Sequence, residues 1–193
     1  MIYCQQKINW EGIALQIPEI NLHLQDDQWP LDYIDHDRPI ARAIVVDDEN
    51  HFYFMRVERW DEFAEGALIE TSGGGVEPDE DLHTAILREL KEELGVTAQV
   101  LGKIGVVSDY YNLIHRHNIN HYFLCRALSF GEKNMTLEER ELFHLSTLKL
   151  TYEDALQEYE TCAATKLGKL LAAREVPILR QAKVMLDHLT SES

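Results

Sequence analysis

A dense group of carboxylates follows a run of three glycines near the middle of the chain. It consists of Glu80, Asp81, Glu89, Glu92 and Glu93. Side chains crowded in this way repel one another unless a cation lies among them. Carboxylate oxygens are the ligands that hard divalent cations such as Mg²⁺ and Mn²⁺ prefer. The pattern therefore predicts a site for Mg²⁺ or Mn²⁺, because folding alone does not call for so many acids.

The spacing of apolar residues predicts that these carboxylates lie on one helix. The helix is expected to begin with Asp79 as its N-cap, to place Glu80 and Asp81 in its first turn, and to end at Gly95. Its core-facing stripe comprises Leu82, Ile86, Leu87, Leu90 and Leu94. Glu93 falls inside this stripe, where a carboxylate is costly unless it is paired or binds a metal. The alternative, an acidic solvated face, fits Asp81 well and Glu93 badly.

Residues 74–96 resemble the Nudix box, which reads Gly, five residues, Glu, seven residues, then Arg-Glu-aliphatic-x-Glu-Glu-x-Gly-aliphatic. Every fixed position is matched, from Gly74 to Val96. A chance match in a chain of this length is on the order of one in ten million at ordinary residue frequencies. The resemblance, which extends more weakly over residues 40–150, implies an α/β Nudix fold with a mixed β-sheet between helices.

The resemblance also implies roles for individual residues. The metal ligands would be the carbonyl of Gly73 and the carboxylates of Glu89, Glu92 and Glu93. Glu80 would hold Arg88 in place, so the residues implied for catalysis are Glu80, Arg88, Glu89 and Glu93. Cations bound there would clamp a pyrophosphate and lower the pKa of a water molecule. The glycines at 73–75 would let the backbone approach them closely.

Substrate contacts are expected from two regions. Arg56, Arg59 and Glu70 are similar to positions in the Nudix subgroup that acts on ADP-ribose and nucleoside diphosphate sugars, although Arg56 and Arg59 could equally pair with nearby acids on the surface. Two departures from that subgroup are the absence of proline between residues 79 and 175 and the sequence Glu-Thr-Ser before the glycines. Tyr110 and Tyr111, in a predicted loop, could stack on a nucleobase or only cover the end of the sheet.

Three other acids and a histidine-rich segment leave alternatives open. The family often has a general base on a loop after the last strand, where this chain carries Glu138, Glu139 and Glu141, with Glu89 as the other candidate. A solvated helix face shared with Arg140 is the simpler explanation for any single one of the three. Residues 115–121 contain three histidines and two asparagines. We interpret them as a polar loop or as groups that hydrogen-bond the substrate, rather than as a transition-metal site. A contact between Arg116 and a phosphate is equally compatible.

The coarse pattern of the chain predicts short strands followed by helices. The strands are expected at 13–17, 20–24, 40–46, 52–57, 67–71, 98–107 and 119–128. Thr151 is a predicted N-cap, and an apolar stripe marks a helix over 176–189. We divide the chain into a strand-rich N-terminal extension, residues 1–38, and a Nudix hydrolase domain with C-terminal helices, residues 39–193. In the subgroup named above, such an extension often forms a homodimer.

Composition limits the partners. The net charge of −16 argues against a nucleic-acid polymer, but bound cations would still allow a small nucleotide. No apolar run is long enough for a membrane span, and the first residues lack the form of a secretory signal. The three cysteines, Cys4, Cys125 and Cys162, are odd in number and widely spaced, which favours free thiols in a cytoplasmic protein.

Three functions compete on this sequence. The first is a Mg²⁺- or Mn²⁺-dependent pyrophosphohydrolase that cleaves a nucleoside diphosphate linked to another moiety, such as ADP-ribose or a nucleotide sugar. The second is a hydrolase of nucleoside triphosphates or diadenosine polyphosphates. The third is a non-catalytic Nudix regulator that senses a nucleotide. We rank it last because the box carboxylates are complete and the tail is not basic.

Overall fold

A computed structural model of the chain describes residues 17–61, 65–133 and 146–191. Its strands are β1 (Ile20–Leu24), β2 (His36–Val46), β3 (Phe52–Trp60), β4 (Glu65–Glu70), β5 (Ser72–Gly75), β6 (Val96–Tyr111), β7 (Arg116–Phe130) and β8 (Ser146–Leu150). Its α-helices are α1 (Leu82–Glu93), α2 (Tyr152–Cys162) and α3 (Lys166–Ser191). The strand predicted over 20–24 is therefore present, whereas the one predicted over 13–17 falls almost wholly outside the described residues.

The described strands form one mixed sheet. Its order is β1-β6-β7-β2-β3-β4, with β5 paired to β2 and β8 paired to β3. Two neighbouring pairs, β1 with β6 and β2 with β7, are parallel, and the remaining pairs are antiparallel. β2 and β7 begin at the same end of the sheet, and β5 runs back along β2. The glycines at 73–75, called the glycine segment below, therefore lie beside the starts of β2 and β7.

Helices cover both faces of the sheet, as the resemblance to the Nudix family implies. Alternate residues of a strand point to opposite faces. One face of β2 packs against α1 through Ala41, Ala43 and Val45, in a core with Ile86 and Leu90. The other face carries Ile44 and Val46 into a core with α2 and α3, which contribute Tyr159, Leu171, Ile178 and Ala182. The mixed sheet between helices is thus confirmed.

The predicted polar loops around residues 109–121 are wrong. β6 continues to Tyr111, a single 3₁₀ turn (Asn112–Ile114) follows, and β7 starts at Arg116. Asn120 can lie in a strand because its amide donates to the carbonyl of Val107 at 3.0 Å and to Asp109 at 2.6 Å. Tertiary partners therefore override the local turn preference of asparagine.

The first C-terminal helix starts where it is predicted to start, whereas the second is longer than predicted. Thr151 caps α2 by accepting a 3.1 Å hydrogen bond from the Asp154 backbone N–H, as predicted. α3 begins at Lys166, ten residues before the predicted start, and Pro177 lies inside it. In the described part of the chain, no helix combines the length and the apolar character needed to cross a bilayer.

Candidate active site

The glycine segment and α1 bring the box carboxylates against backbone. Gly73 has a φ of 145°, a conformation that L side chains rarely adopt. A Cβ atom on Gly74 would lie 2.5 Å from Oε1 of Glu89, so any side chain there would displace this carboxylate. β5 and α1 are thus packed as closely as glycine permits, with Glu89 lying directly over the loop.

The start of α1 differs from its prediction. The N-cap is Asp81, whose side chain accepts a 2.7 Å hydrogen bond from the backbone N–H of Thr84. Asp79 has a left-handed φ of 66°, whereas an N-cap needs an extended backbone, so Asp79 lies in the preceding turn. Glu80 consequently precedes the helix rather than forming part of its first turn. At the other end, Gly95 has a φ of 68° and ends the helix as predicted.

Arg88 connects the acidic side chains to one another. Its guanidinium donates to Glu80 at 2.9 and 3.0 Å, to Glu89 at 2.7 Å and to Glu92 at 3.1 Å. It also donates to the carbonyl of Gly75 at 3.1 Å. Hydrogen bonding to Glu80 and then to Glu89 raises the pKa of Arg88 above its usual value. Glu80 and Arg88 therefore have the contact that the family resemblance implies.

Glu93 turns inward to the loop rather than outward to solvent. The Ser72 hydroxyl donates a 2.6 Å hydrogen bond to its carboxylate, and the Gly73 backbone N–H donates one of 2.9 Å. Burial raises the pKa of Glu93 to about 7, against the opposing effect of these two donors. The inward direction agrees with the position of Glu93 within the apolar stripe.

The donor set fits a hard divalent cation in chemistry, since Glu89, Glu92, Glu93 and the Gly73 carbonyl offer only oxygen atoms. Among the described residues, one group of three metal-capable side chains has all its ligand atoms within 4.8 Å of one another: Asp47, Glu49 and His51. These three residues lie in the turn between β2 and β3. Asp47 accepts the backbone N–H groups of Glu49 and His51 at 2.9 Å and pairs with Lys149 at 2.8 Å.

The arginines and Glu70, predicted as substrate contacts, have nearby protein partners. Arg56 lies 3.5 Å from Glu58, and Arg59 lies 2.7 Å from Asp61, as the surface-pairing alternative expected. Glu70 lies 3.8 Å from Arg42, and burial raises its pKa.

The two predicted tyrosines point to opposite faces of the sheet. Tyr110 stacks on His117 with ring centroids 4.4 Å apart. Tyr111 packs against the α2/α3 core, and its hydroxyl accepts a 3.0 Å hydrogen bond from Arg174, which favours the alternative that it covers the sheet. Glu138, Glu139 and Glu141, the loop candidates for the general base, lie outside the described residues.

A buried ionic network, which the sequence does not predict, lies beneath the glycine segment. Glu175 of α3 accepts hydrogen bonds from the Thr71 backbone N–H at 2.8 Å and from its hydroxyl at 2.9 Å. Arg42 donates to the Thr71 carbonyl at 2.9 Å and to Asn120 at 3.1 Å. Arg174 pairs with Glu175 at 2.8 Å and with Asp109 at 3.2 Å. Isolated charges within apolar stretches were the one signal in the sequence that could have indicated these residues.

The chain is similar in sequence to two proteins from Bacillus species. The chain is 29% identical over 148 residues to the ADP-ribose pyrophosphatase of Bacillus subtilis, covering 74% of this chain and 76% of that protein. It is 26% identical over 156 residues to the methanol dehydrogenase activator of Bacillus methanolicus, covering 81% and 80% respectively.

Solved structures share the fold at low sequence identity. A MutT protein from Methanosarcina mazei has a TM-score of 0.54 at 17% identity, over 80% of this chain and 96% of its own. A NUDIX hydrolase from Nitrosomonas europaea has a TM-score of 0.55 at 12% identity, over 79% and 89%. The model of the NUDIX domain family matches residues 37–166, which include every element from β3 to α2. The chain therefore belongs to the Nudix family and is a hydrolase of phosphoric anhydride bonds.

Proposed function

We propose that the protein is a Mg²⁺- or Mn²⁺-dependent pyrophosphohydrolase that cleaves a nucleoside diphosphate linked to another moiety, with ADP-ribose as the leading substrate. The observation that carries the proposal is the placement of two box carboxylates at one loop. Glu89 lies against Gly74, and Glu93 is held by Ser72 and Gly73. This arrangement brings oxygen donors from α1 beside a backbone that a phosphate can approach closely.

The proposed roles follow from the contacts. Glu89, Glu92, Glu93 and the Gly73 carbonyl would hold the cation. When bound, the cation lowers the pKa of the attacking water and neutralises charge on the phosphate. Arg88 fixes the orientation of Glu89 and Glu92, and Glu80 fixes Arg88 in turn through two hydrogen bonds.

The general base is proposed to be a carboxylate within reach of the attacking water. Glu89 is the candidate among the described residues, because it lies over the loop that a phosphate would approach. The candidates on the downstream loop, Glu138, Glu139 and Glu141, remain predictions.

Support for the ADP-ribose class comes from the relative whose name states that activity. The second candidate is hydrolysis of nucleoside triphosphates or diadenosine polyphosphates, which the missing prolines leave open. The regulatory hypothesis stays third because the chain retains all of its box carboxylates. We also propose a cytoplasmic protein, since Cys125 and Cys162 are free thiols. A homodimer formed by residues 1–38 remains a prediction.

A substrate panel with Mg²⁺ and Mn²⁺ tests the proposal. It should include ADP-ribose, nucleotide sugars, nucleoside triphosphates and diadenosine polyphosphates, with release of phosphate or monophosphate as the readout. We expect the highest kcat/KM for ADP-ribose or a nucleotide sugar. Glu93→Gln should abolish turnover without altering the circular dichroism spectrum, whereas Glu158→Gln, an exposed carboxylate on α2, should leave turnover unchanged. Wild-type rates in Glu93→Gln would refute the metal role of Glu93.

A further inference from the structure

Three polar residues lie together where β2 and β7 begin. The parallel register pairs Arg38 with Asn118, and the preceding pair on the same face is His36 with Arg116. Since side chains two apart along a strand share a face, Arg38, Asn118 and Arg116 project from the same face of the sheet. This is the face that carries Arg42, and it is opposite to α1. We call these three residues the strand-end cluster.

Within the described residues, the strand-end cluster has no side-chain partner. Neither arginine makes a side-chain ion pair or hydrogen bond, although the chain contains 34 acidic residues and only 18 basic ones. Asn118 is 2% exposed, and its Oδ1 atom has no hydrogen-bond partner. By contrast, the neighbouring Asn120 is fully engaged. A buried amide oxygen without a hydrogen-bond donor costs free energy, so this one is unusual for a purely structural residue.

The strand-end cluster adjoins the glycine segment. The guanidinium of Arg38 lies against Gly75, where a Cβ atom would be 3.0 Å from Nη2 and 3.3 Å from Nε. Burial and the charges of Arg116 and Arg42 lower the pKa of Arg38, while the charge of Glu89 raises it. Positive charge is thus concentrated beside the glycine that follows the Glu89 contact. Like charges held together in this way are relieved by an anion.

We infer that Arg38, Arg116 and Asn118 form a subsite for a phosphate group of the substrate, on the side of the glycine segment away from α1. The two guanidinium groups offer planar forks that match phosphate oxygens, and the N–H groups of the Asn118 amide can donate to a further phosphate oxygen. Its unpaired Oδ1 accepts, and a hydroxyl of the substrate would supply the donor. The inference deepens the proposed function and rests on it. In that scheme the box carboxylates and the strand-end cluster bind different parts of one substrate, from opposite sides of β5.

Binding without metal isolates the subsite from the carboxylates. The two halves of ADP-ribose, AMP and ribose 5-phosphate, are titrated in EDTA by calorimetry, so that cation-mediated contacts cannot contribute. Wild-type protein should bind at least one of them. Affinity should fall about tenfold or more in Arg38→Ala/Arg116→Ala. Arg126→Ala removes a cation at the opposite end of β7 and should bind like wild type.

A second variant keeps both cations in place. Asn118→Asp has almost the same shape but puts a carboxylate between the arginines, where it would repel a phosphate. It should lose affinity at least as strongly as the double variant, while its Tm stays at or above that of wild type. Undiminished AMP and ribose 5-phosphate affinity in either variant, or no binding by the wild type, would overturn the inference.

The two proposals can fail separately. If the wild type hydrolyses the panel and Arg38→Ala/Arg116→Ala leaves KM and kcat unchanged, the subsite is wrong and the proposed function stands. If nothing in the panel is hydrolysed but metal-free binding depends on both arginines, the proposed function is wrong and a phosphate subsite remains. We expect KM to rise about tenfold or more with little change in kcat.

Discussion

Replacing Glu175 with glutamine tests the buried contact between α3 and the segment before the box. Glu175 accepts hydrogen bonds from the Thr71 backbone N–H at 2.8 Å, from the Thr71 hydroxyl at 2.9 Å and from the Tyr159 hydroxyl at 2.5 Å. Glutamine has the same shape, but its amide nitrogen donates and cannot accept from these groups. It also lacks the charge that pairs with Arg174 at 2.8 Å. The substitution therefore places an amide donor opposite other hydrogen-bond donors. It also leaves the buried guanidinium of Arg174 with less negative charge beside it.

The expected loss is large. Removing one member of a buried ion pair costs about 3–5 kcal/mol. In the variant, Arg174 still has its ion pair with Asp109 at 3.2 Å. We therefore expect a loss of unfolding free energy near the lower limit, about 3 kcal/mol. A domain of this size is stable by roughly 5–15 kcal/mol, so Tm should fall on the order of 10 °C.

The loss should also depend on pH. Burial alone would raise the pKa of Glu175, but Arg174, Arg42 and the Tyr159 hydrogen bond outweigh it and hold the pKa below its usual value. A carboxyl group with a lowered pKa in the folded state stabilises the protein above its unfolded pKa, about 4.3. The difference in unfolding free energy between wild type and Glu175→Gln should therefore reach its full value above about pH 5. It should decrease as the pH falls through the pKa of Glu175 in the folded protein.

Urea denaturation at several pH values measures both effects. Glu158→Gln is the matched control, because it makes the same chemical change at an exposed site on α2 and should alter stability by no more than about 0.5 kcal/mol. A loss below about 1 kcal/mol in Glu175→Gln, or a loss that does not change with pH, would show that the buried contact contributes less than its geometry indicates.

Three further predictions concern α1 and the metal. Asp81→Ala removes the N-cap bond to Thr84 and should lower the unfolding free energy by about 1 kcal/mol in urea denaturation; no change would contradict the observed cap. Gly95→Ala should cost more than about 1 kcal/mol, because φ is 68° and a Cβ would lie 2.4 Å from the Gly131 carbonyl oxygen; Gly131→Ala should be nearly neutral, because its Cβ would lie 3.3 Å from the movable Lys91 Nζ and 3.7 Å, an ordinary contact, from the Gly95 carbonyl oxygen. Excess EDTA should stop hydrolysis and added Mg²⁺ or Mn²⁺ should restore it; persistent turnover would exclude metal dependence.

Local periodicity explains what the sequence could predict. The box spacing and the apolar stripe together give α1 its length, and they give Glu93 its inward direction because side chains one turn apart share a helix face. The same reasoning misplaces the N-cap by two residues. Asp79 and Asp81 are both suitable caps by type, and only the left-handed backbone of Asp79 separates them.

Contacts between residues far apart in the chain explain what the sequence could not predict. Thr71 and Glu175 are 104 residues apart in the chain, and no local pattern links a charged residue on a helix to a strand so far away. The asparagines at 118 and 120 carry a local turn preference, yet the sheet buries both. The box could be recognised because its spacing is local, whereas the network beneath it depends on the tertiary fold.

The hydrogen bonds from Arg88 to three acids have a consequence for how the protein is handled. An internal counter-ion already offsets much of the repulsion around the box, so we expect the apoprotein to reach its folded state without a cation. This separates it from small zinc domains, which unfold when stripped. We therefore expect that metal-free protein can be prepared and stored, and that the proposed Mg²⁺ or Mn²⁺ can be added back separately.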